Sequence, residues 1–372
     1  MLNRSGVFAR VRRLHTAGRL LLWSAIVVVT VAFVSGSTAL AASYTMTIAH
    51  LYPDDLTNNE VAPAMERFKQ VVESATGGEV EVKVFGAGAL GSEVETGKQA
   101  QQGKTIQSVL ISSGAASSFY KDYQIVVTPF LFPDYVTAWT FFDSPWFANF
   151  MRGMLDESGL RYLGTFDDGG GFVAFTNNER LIKTVDDIKG LRIRVEENPA
   201  HITMMKSLGA SATPLPWGEV QTALATGLAD GQFNAPGVND IWKLYDVTDY
   251  TTWSGHVYNT VTWVVSEAWF AELPEDYRQV IVDAAREAVA IGHGIATQAS
   301  VVGWVNSCKK FKDCHILADS EKAKMRDIAR PAYREWITTD FGVDGARVDE
   351  LWAEVDRIAA ELKKSNAALY MK

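Results

Sequence analysis

Side chains that could hold an anion are concentrated between Gly190 and Asn234, in the run GLRIRVEENPAHITMMKSLGASATPLPWGEVQTALATGLADGQFN. Arg192 and Arg194 alternate with Leu191, Ile193 and Val195. That is the period of a half-buried strand, and it puts both guanidinium groups on one face. Asn198 and Pro199 follow, and an amide at the N-cap with a proline at the first helical position marks a helix start. The spacing predicts a helix to about Leu208 that stops at Gly209, a residue suited to the left-handed position after a helix. Thr213 to Pro216 then reads as a short extended piece, and a second helix starts near Trp217–Glu219. Asp230–Gly231 turns the chain into another strand at Gln232–Asn234. An arginine at a strand's C-terminal end, beside a helix N-terminus, is where open α/β sheets receive anions.

Other chemistry is sparse. The six histidines are scattered and form no H-E-x-x-H pair, and neither G-x-S-x-G nor G-x-x-x-x-G-K-[ST] occurs. Gly86 to Gly91 matches G-x-G-x-x-G after a strand, but the next strand, Ser108 to Ile111, runs into Ser112–Ser113–Gly114 with no acid for a ribose hydroxyl. These glycines read as a tight turn, and neither a cofactor nor a metal site is expected. Asp167 and Asp168 would point to opposite faces of a strand, and with the glycines after them they read as a solvated turn. His50, at the end of the first strand, could face a ligand or serve the core, and His256 has the same two readings. Ser112 and Ser113 open a small-residue loop that can offer backbone N–H groups.

The chain has 372 residues, enough for two domains, and a formal net charge of −9. Residues 1–41 carry five arginines and no acid. A basic region to Arg19, an apolar stretch from Leu20 to Val34 and a small-residue site at Ala39–Leu40–Ala41 have the layout of a secretory signal peptide. The apolar stretch is shorter than a bilayer span needs. Without that leader the net charge falls from −9 to −14, which disfavours nucleic acid as a partner and means an anionic ligand needs local positive charge. Cys308 and Cys314 flank KKFKD, which can turn a helix end back into a strand at His315–Leu317. An exported chain favours a disulfide between them, with two free thiols as the alternative.

The elements needed to position these groups are legible. Tyr44 to His50, a helix over Asn59 to Ser74 and a strand over Glu79 to Phe85 make a β-α-β opening, which points to an α/β fold with much parallel sheet. Tyr135, Trp139, Phe141, Phe142, Trp146, Phe147 and Phe150 recur at helical spacing and read as core. Arg161 to Phe166 is a strand, Asp167 to Gly171 a turn suited to crossing between domains, and Phe172 to Thr176 its continuation. Val257 to Ser266 is a second apolar run long enough to cross. Glu275 opens a long helix through Gln298 and on toward Lys310, a spine against two interleaved lobes.

The segments GLRIRVEENP, GASATPLPWGEVQTALATGLADGQFN and GGEVEVKVFGAGALGSE, with SEAWFAELPEDYRQVIVDAAREA further along, resemble the substrate-binding subunits of tripartite ATP-independent periplasmic (TRAP) transporters, the DctP type. The resemblance implies an α/β fold of the periplasmic-binding-protein type, with two interleaved lobes, a ligand cleft and a long spine helix. The expected division is a signal peptide at 1–41, a first lobe at 42–170 plus 259–300, and a second at 171–258 plus 301–372 that includes the C-terminal helices. It also implies a periplasmic, monomeric, non-enzymatic protein that closes on a small organic acid and delivers it to a permease of one small and one large membrane subunit. A sensor reporting to a histidine kinase and a secreted enzyme are the alternatives. By the same resemblance, Arg194 holds the ligand carboxylate, Trp217 packs on the ligand and Asn234 hydrogen-bonds it, while His50, Ser112, Ser113 and His256 line the cleft. Many acid-binding relatives have a second arginine where this chain reads Gly171-Phe172-Val173-Ala174. With Phe172, Trp253 and Tyr258 nearby, a monocarboxylate with an apolar or aromatic body is the expected ligand.

Overall fold

Alternating apolar residues at the start of the mature chain form β1 (Tyr44–Ala49), and the helix Val61–Ala75 carries the chain to the parallel strand β2 (Val80–Phe85). The structure, a computed structural model, describes residues 42–57 and 59–370, so the expected signal peptide lies outside the described residues. A helix at Glu93–Gln102, opened by a capping box between Ser92 and Glu95, leads to β3 (Ser108–Ser112), which also runs parallel to β1. The β-α-β opening is therefore present.

Two strands organise everything after it. β4 (Leu160–Asn177) has 18 residues and β8 (Tyr250–Ser266) has 17, several times the common strand length. They pair antiparallel from Leu160↔Ser266 to Asn177↔Tyr250, with an irregularity between Asp167 and Phe172. The other strands are β5 (Arg192–Val195), β6 (Ser211–Pro214), β7 (Gly231–Asn234) and β9 (Asp313–Ile316). The sheet order is β2-β1-β3-β8-β4-β7-β5-β6, with β9 on β8. β1, β2 and β3 thus gather at one end of the two long strands, and β5, β6 and β7 at the other.

The stretch Asp167–Gly171, expected as a crossing, is neither a free turn nor solvated. It is a bulge inside β4, where Gly169, Gly170 and Gly171 take φ of 57°, 102° and 70°. Asp167 is fully buried and Asp168 nearly so, because the spine helix and the first helix cover this point. The spine itself, Glu275–Lys310, has 36 residues, a length of about 54 Å. Cys308 near its end is disulfide-bonded to Cys314 on β9.

At the β1 end the pleat feeds two apolar layers. Met46, Ile48, Leu110 and Trp263 pack with Phe68 of the first helix and Ile281 of the spine, while Val109 and Ile111 face Phe141, Phe147 and Phe150 of the aromatic segment. Leu351, Val355 and Ile358 of the last helix, Gly345–Tyr370, join that second layer. This helix therefore packs on the β1 end, rather than staying with the other C-terminal helices as the sequence division has it. A third core, around Phe175, Ile193, Val195, Met205 and Phe233, holds the β5 end together.

Candidate functional site

Arg192 and Arg194 share a strand but not a fate. Arg192 is half exposed and pairs with Asp230, whose carboxylate also accepts from the Arg192 backbone N–H at 2.7 Å. Arg194 is only 3% exposed. Its Nε and Nη2 donate to the Leu215 carbonyl at 3.0 and 2.7 Å, and its Cζ lies 5.6 Å from the centre of the Trp217 ring. Arg194 forms no ion pair within 4.0 Å among the described residues. Burial pulls its pKa down, against the opposing pull of Glu196, Glu93, Glu197 and Asp168. A buried, oriented and unpaired guanidinium is a receptor for a carboxylate.

The neighbouring positions follow from the local fold. Asn198 caps the helix Pro199–Ser207 by accepting from the Ala200 N–H at 3.0 Å, and Gly209 takes φ 82° just after it, so this helix starts and stops as its sequence predicts. Trp217 stands in a single tight helical turn before Val220–Ala225, edge-on to Trp242 at 5.4 Å. Arg194 is in register with Gln232 of β7. Two residues on, buried Asn234 donates to the Gln232 side-chain oxygen at 2.6 Å, and the Asn259 amide reaches Asn234 Oδ1 at 3.5 Å.

The loop after β3 meets this group from the other end of the sheet. Ser112 presents its N–H and hydroxyl to Glu93 at 2.6 and 2.7 Å, Ser113 is fully buried, and the Gly114 N–H donates to Glu196 at 3.2 Å. A Cβ at Gly114 would lie 2.7 Å from the Glu196 carboxylate, so glycine is what permits this approach. His50 ends the first strand region, two residues before Tyr52. Burial pushes His50 down to about 4, so its ring is neutral near pH 7.

Two further expected residues have packing partners of their own. His256 is stacked on Phe175 at 4.3 Å, faces Phe233, and shares a 2.7 Å hydrogen bond with Ser254, inside the third core. Its ring lies in the apolar layer with these aromatics. Phe172 packs on Tyr135 and Tyr258 at the crossing. Tyr258 itself donates to Asp167, which also accepts from Trp139 Nε1 at 2.8 Å and contacts His293 Nδ1 of the spine at 3.0 Å. Trp253 packs on Trp304. Of the aromatic lining expected, Phe172 and Tyr258 are thus engaged at the crossing and Trp253 against the spine helix.

Sequence reasoning gave no site role to a set of acids. Asp168 accepts from the Tyr52 hydroxyl, and Glu60, at the N-terminus of the first helix, accepts from the Gly169 N–H at 2.8 Å. Burial raises the pKa of Glu60 to about 8, of Glu93 and Glu196 to about 7 each, and of Asp168 above its ordinary value. The adjacent pair Asp167–Asp168 was the available signal, since it does send its carboxylates to opposite faces.

These shifts predict the pH dependence of the ligand-free protein. Glu60, Glu93 and Glu196 keep their protons to about 8, 7 and 7 when folded but ionise near 4.5 when unfolded, so their contribution is lost as pH rises through that window. His50, His201 and His256 protonate near 6.5 unfolded but only near 4, 3 and 3 folded, so stability is lost as pH falls below 6.5. Between the two ordinary values the groups oppose one another. Thermal unfolding across pH 3 to 9 should therefore show a maximum at about 4.5–6.5, and a melting temperature still rising at pH 8 would contradict these burials.

Comparison with known proteins identifies the family and the fold. Residues 55–339 match the family described as bacterial extracellular solute-binding protein, family 7. A solute-binding protein of Verminephrobacter eiseniae is 34% identical over 72% of this chain and 78% of its own. The ectoine/5-hydroxyectoine-binding periplasmic protein of Ruegeria pomeroyi is 29% identical over 82% and 85%. The structure of a TRAP periplasmic solute-binding protein from Desulfovibrio salexigens with bound orotic acid superposes with a TM-score of 0.79 at 27% identity, covering 85% of this chain and 99% of that one. A buried arginine at the end of β5, two long crossing strands and a spine helix thus occur in a chain that belongs to family 7 of the bacterial extracellular solute-binding proteins, the solute-binding proteins of TRAP transporters.

Proposed function

We propose that this chain captures a small organic carboxylate between the two ends of its sheet and hands it to a TRAP permease of one small and one large membrane subunit. The observation that carries the reading is Arg194, buried without an ion pair and oriented by the Leu215 carbonyl under Trp217. Asn234 stands beside it as a hydrogen-bonding partner for the ligand, and Ser112, Ser113 and His50 line the opposite side. The orotic acid in the Desulfovibrio structure is an acid held by the same fold, which supports the assignment, as does the ectoine-binding relative. A single arginine suits a monocarboxylate.

The lobes are residues 42–170 with 259–300, and 171–258 with 301–344, the last helix riding on the first lobe. Closure brings Gly114 to Glu196 and buries the ligand, a hinge motion about β4 and β8. The protein works as a periplasmic monomer after removal of its leader, and it releases its ligand unchanged. Tryptophan fluorescence titration with carboxylates, followed by chromatography of the recovered compound, tests this reading. It requires saturable binding and intact ligand, and chemical conversion of the bound compound would replace transport with catalysis.

A further inference from the structure

Acids surround Arg194: Glu196, Glu93 and Asp168 act on it through charge, and Glu60 acts on Asp168. Glu60, Glu93, Asp168 and Glu196 are all buried or nearly so, and none forms an ion pair with a lysine or arginine among the described residues. The closest basic group, His201 at 3.8 Å from Glu196, is pushed down to about 3 by burial and is neutral. Burial holds these acids toward their neutral forms, and a plain carboxylate beside them would oppose their ionisation further.

The four acids are not equally occupied. Both oxygens of Glu93 are taken by Ser112, Glu196 accepts from Gly114, and Asp168 accepts from Tyr52. Glu60 differs. Its Oε1 is fixed by the Gly169 N–H at 2.8 Å, while Oε2 is fully buried with no partner. Asn259 Oδ1, between Asn234 and Asp168, is likewise buried and unpartnered. Asn259 Oδ1 is an acceptor, and Glu60 Oε2 becomes one when Glu60 gives up the proton it keeps to about 8, so an apolar ligand body against them would leave buried polar groups unmatched.

We propose that the ligand is a zwitterion, with its carboxylate on Arg194 and a cationic nitrogen held by Glu60 and Asp168 across the cleft. This rests on the reading of Arg194 as the carboxylate anchor, and it replaces the apolar body that the sequence led us to expect. A cation favours the ionised form of Glu60 and satisfies its open oxygen, and it gives the ligand a fixed direction between two opposite poles. Tyr52 holds Asp168 and the Gly169 N–H holds Glu60, so both carboxylates are oriented before the ligand arrives. Burial alone pushes Glu60 up to about 8, a penalty that a bound cation would relieve.

The test uses the whole mature protein and three matched sets of carboxylates on the same carbon skeletons. One set carries an amino or quaternary ammonium group, one a hydroxyl in its place, and one neither. Thermal shift should find stabilisation with members of the first set, and calorimetry should show the best of them binding at least about 10-fold more tightly than its hydroxyl twin. Glu60→Gln keeps the shape and should weaken that zwitterion on the order of 10- to 100-fold, while changing the hydroxyl twin little. Preference for hydroxy or unsubstituted acids, or a Glu60→Gln variant that binds the zwitterion as well as the parent does, would overturn the proposal and leave the Arg194 reading standing. Carboxylate binding that survives Arg194→Ala would overturn the Arg194 reading, and stabilisation by none of the three sets would overturn both.

Discussion

Arg194→Ala should abolish capture, with a loss of about 2–5 kcal/mol of binding free energy, the range for breaking a buried, hydrogen-bonded charge pair. That corresponds to roughly 30-fold to several thousand-fold in affinity. The fold should survive, because the guanidinium has no ion pair to lose among the described residues and its hydrogen bonds go to one backbone carbonyl. Arg194→Lys should also fail to restore tight binding. A point charge cannot keep two N–H groups on Leu215 while presenting a planar edge to a carboxylate. Arg192→Ala is the matched control. It removes the same side chain two residues away, but that side chain is half exposed and committed to Asp230, so affinity should be unchanged. Calorimetry on the three variants, with circular dichroism to confirm folding, separates local recognition from a general basic character of β5.

The second large effect is on stability, at the crossing. Gly170 has φ 102°, and a Cβ there would stand 2.2 Å from the Cβ of Ser300 and 3.0 Å from the Ala296 carbonyl of the spine helix. The first of these is a side-chain atom fixed by the backbone, so no rotamer change relieves the clash. Gly170→Ala should cost about 2–6 kcal/mol, combining backbone strain with overpacking against the spine. Gly159→Ala isolates the strain alone. Its φ is 71° and nothing lies within 4 Å of its added Cβ, so its cost should be about 1–2 kcal/mol. Equal losses for the two variants in urea unfolding would mean that the spine gives way at Ser300, and that the contact between the crossing and the helix is not rigid.

Local signals made much of this molecule readable in advance. Asn198 and Pro199 start a helix because capping chemistry is local, and Gly209 ends it for the same reason. The alternation around Arg194 gave the strand and its buried apolar face. It favoured Arg194 over Arg192 only by its place nearer the strand's C-terminal end, since both lie on one face and only the tertiary environment buries the former. The crossing was visible as acids followed by glycines, yet the same composition describes a solvated loop. What makes it a buried bulge is a helix more than a hundred residues further on, carrying His293 and Ser300. Asp168 reads as solvated in the sequence and Glu60 has no role there for that reason. They meet through the Gly169 N–H and Tyr52, at sequence separations of 109 and 116, which no spacing rule reaches. His256 shows the converse. A polar residue on a long apolar strand resembled a cleft group, and packing between Phe175 and Phe233 makes it part of the core.

The central claim is that one side chain receives the ligand carboxylate, and a crystal structure of the protein with its captured ligand tests it most directly. The expected result is a carboxylate lying against the Arg194 guanidinium at about 2.7–2.9 Å, with Trp217 and Asn234 around it. A ligand whose carboxylate is bound elsewhere, with Arg194 still engaged only by the Leu215 carbonyl, would contradict the account.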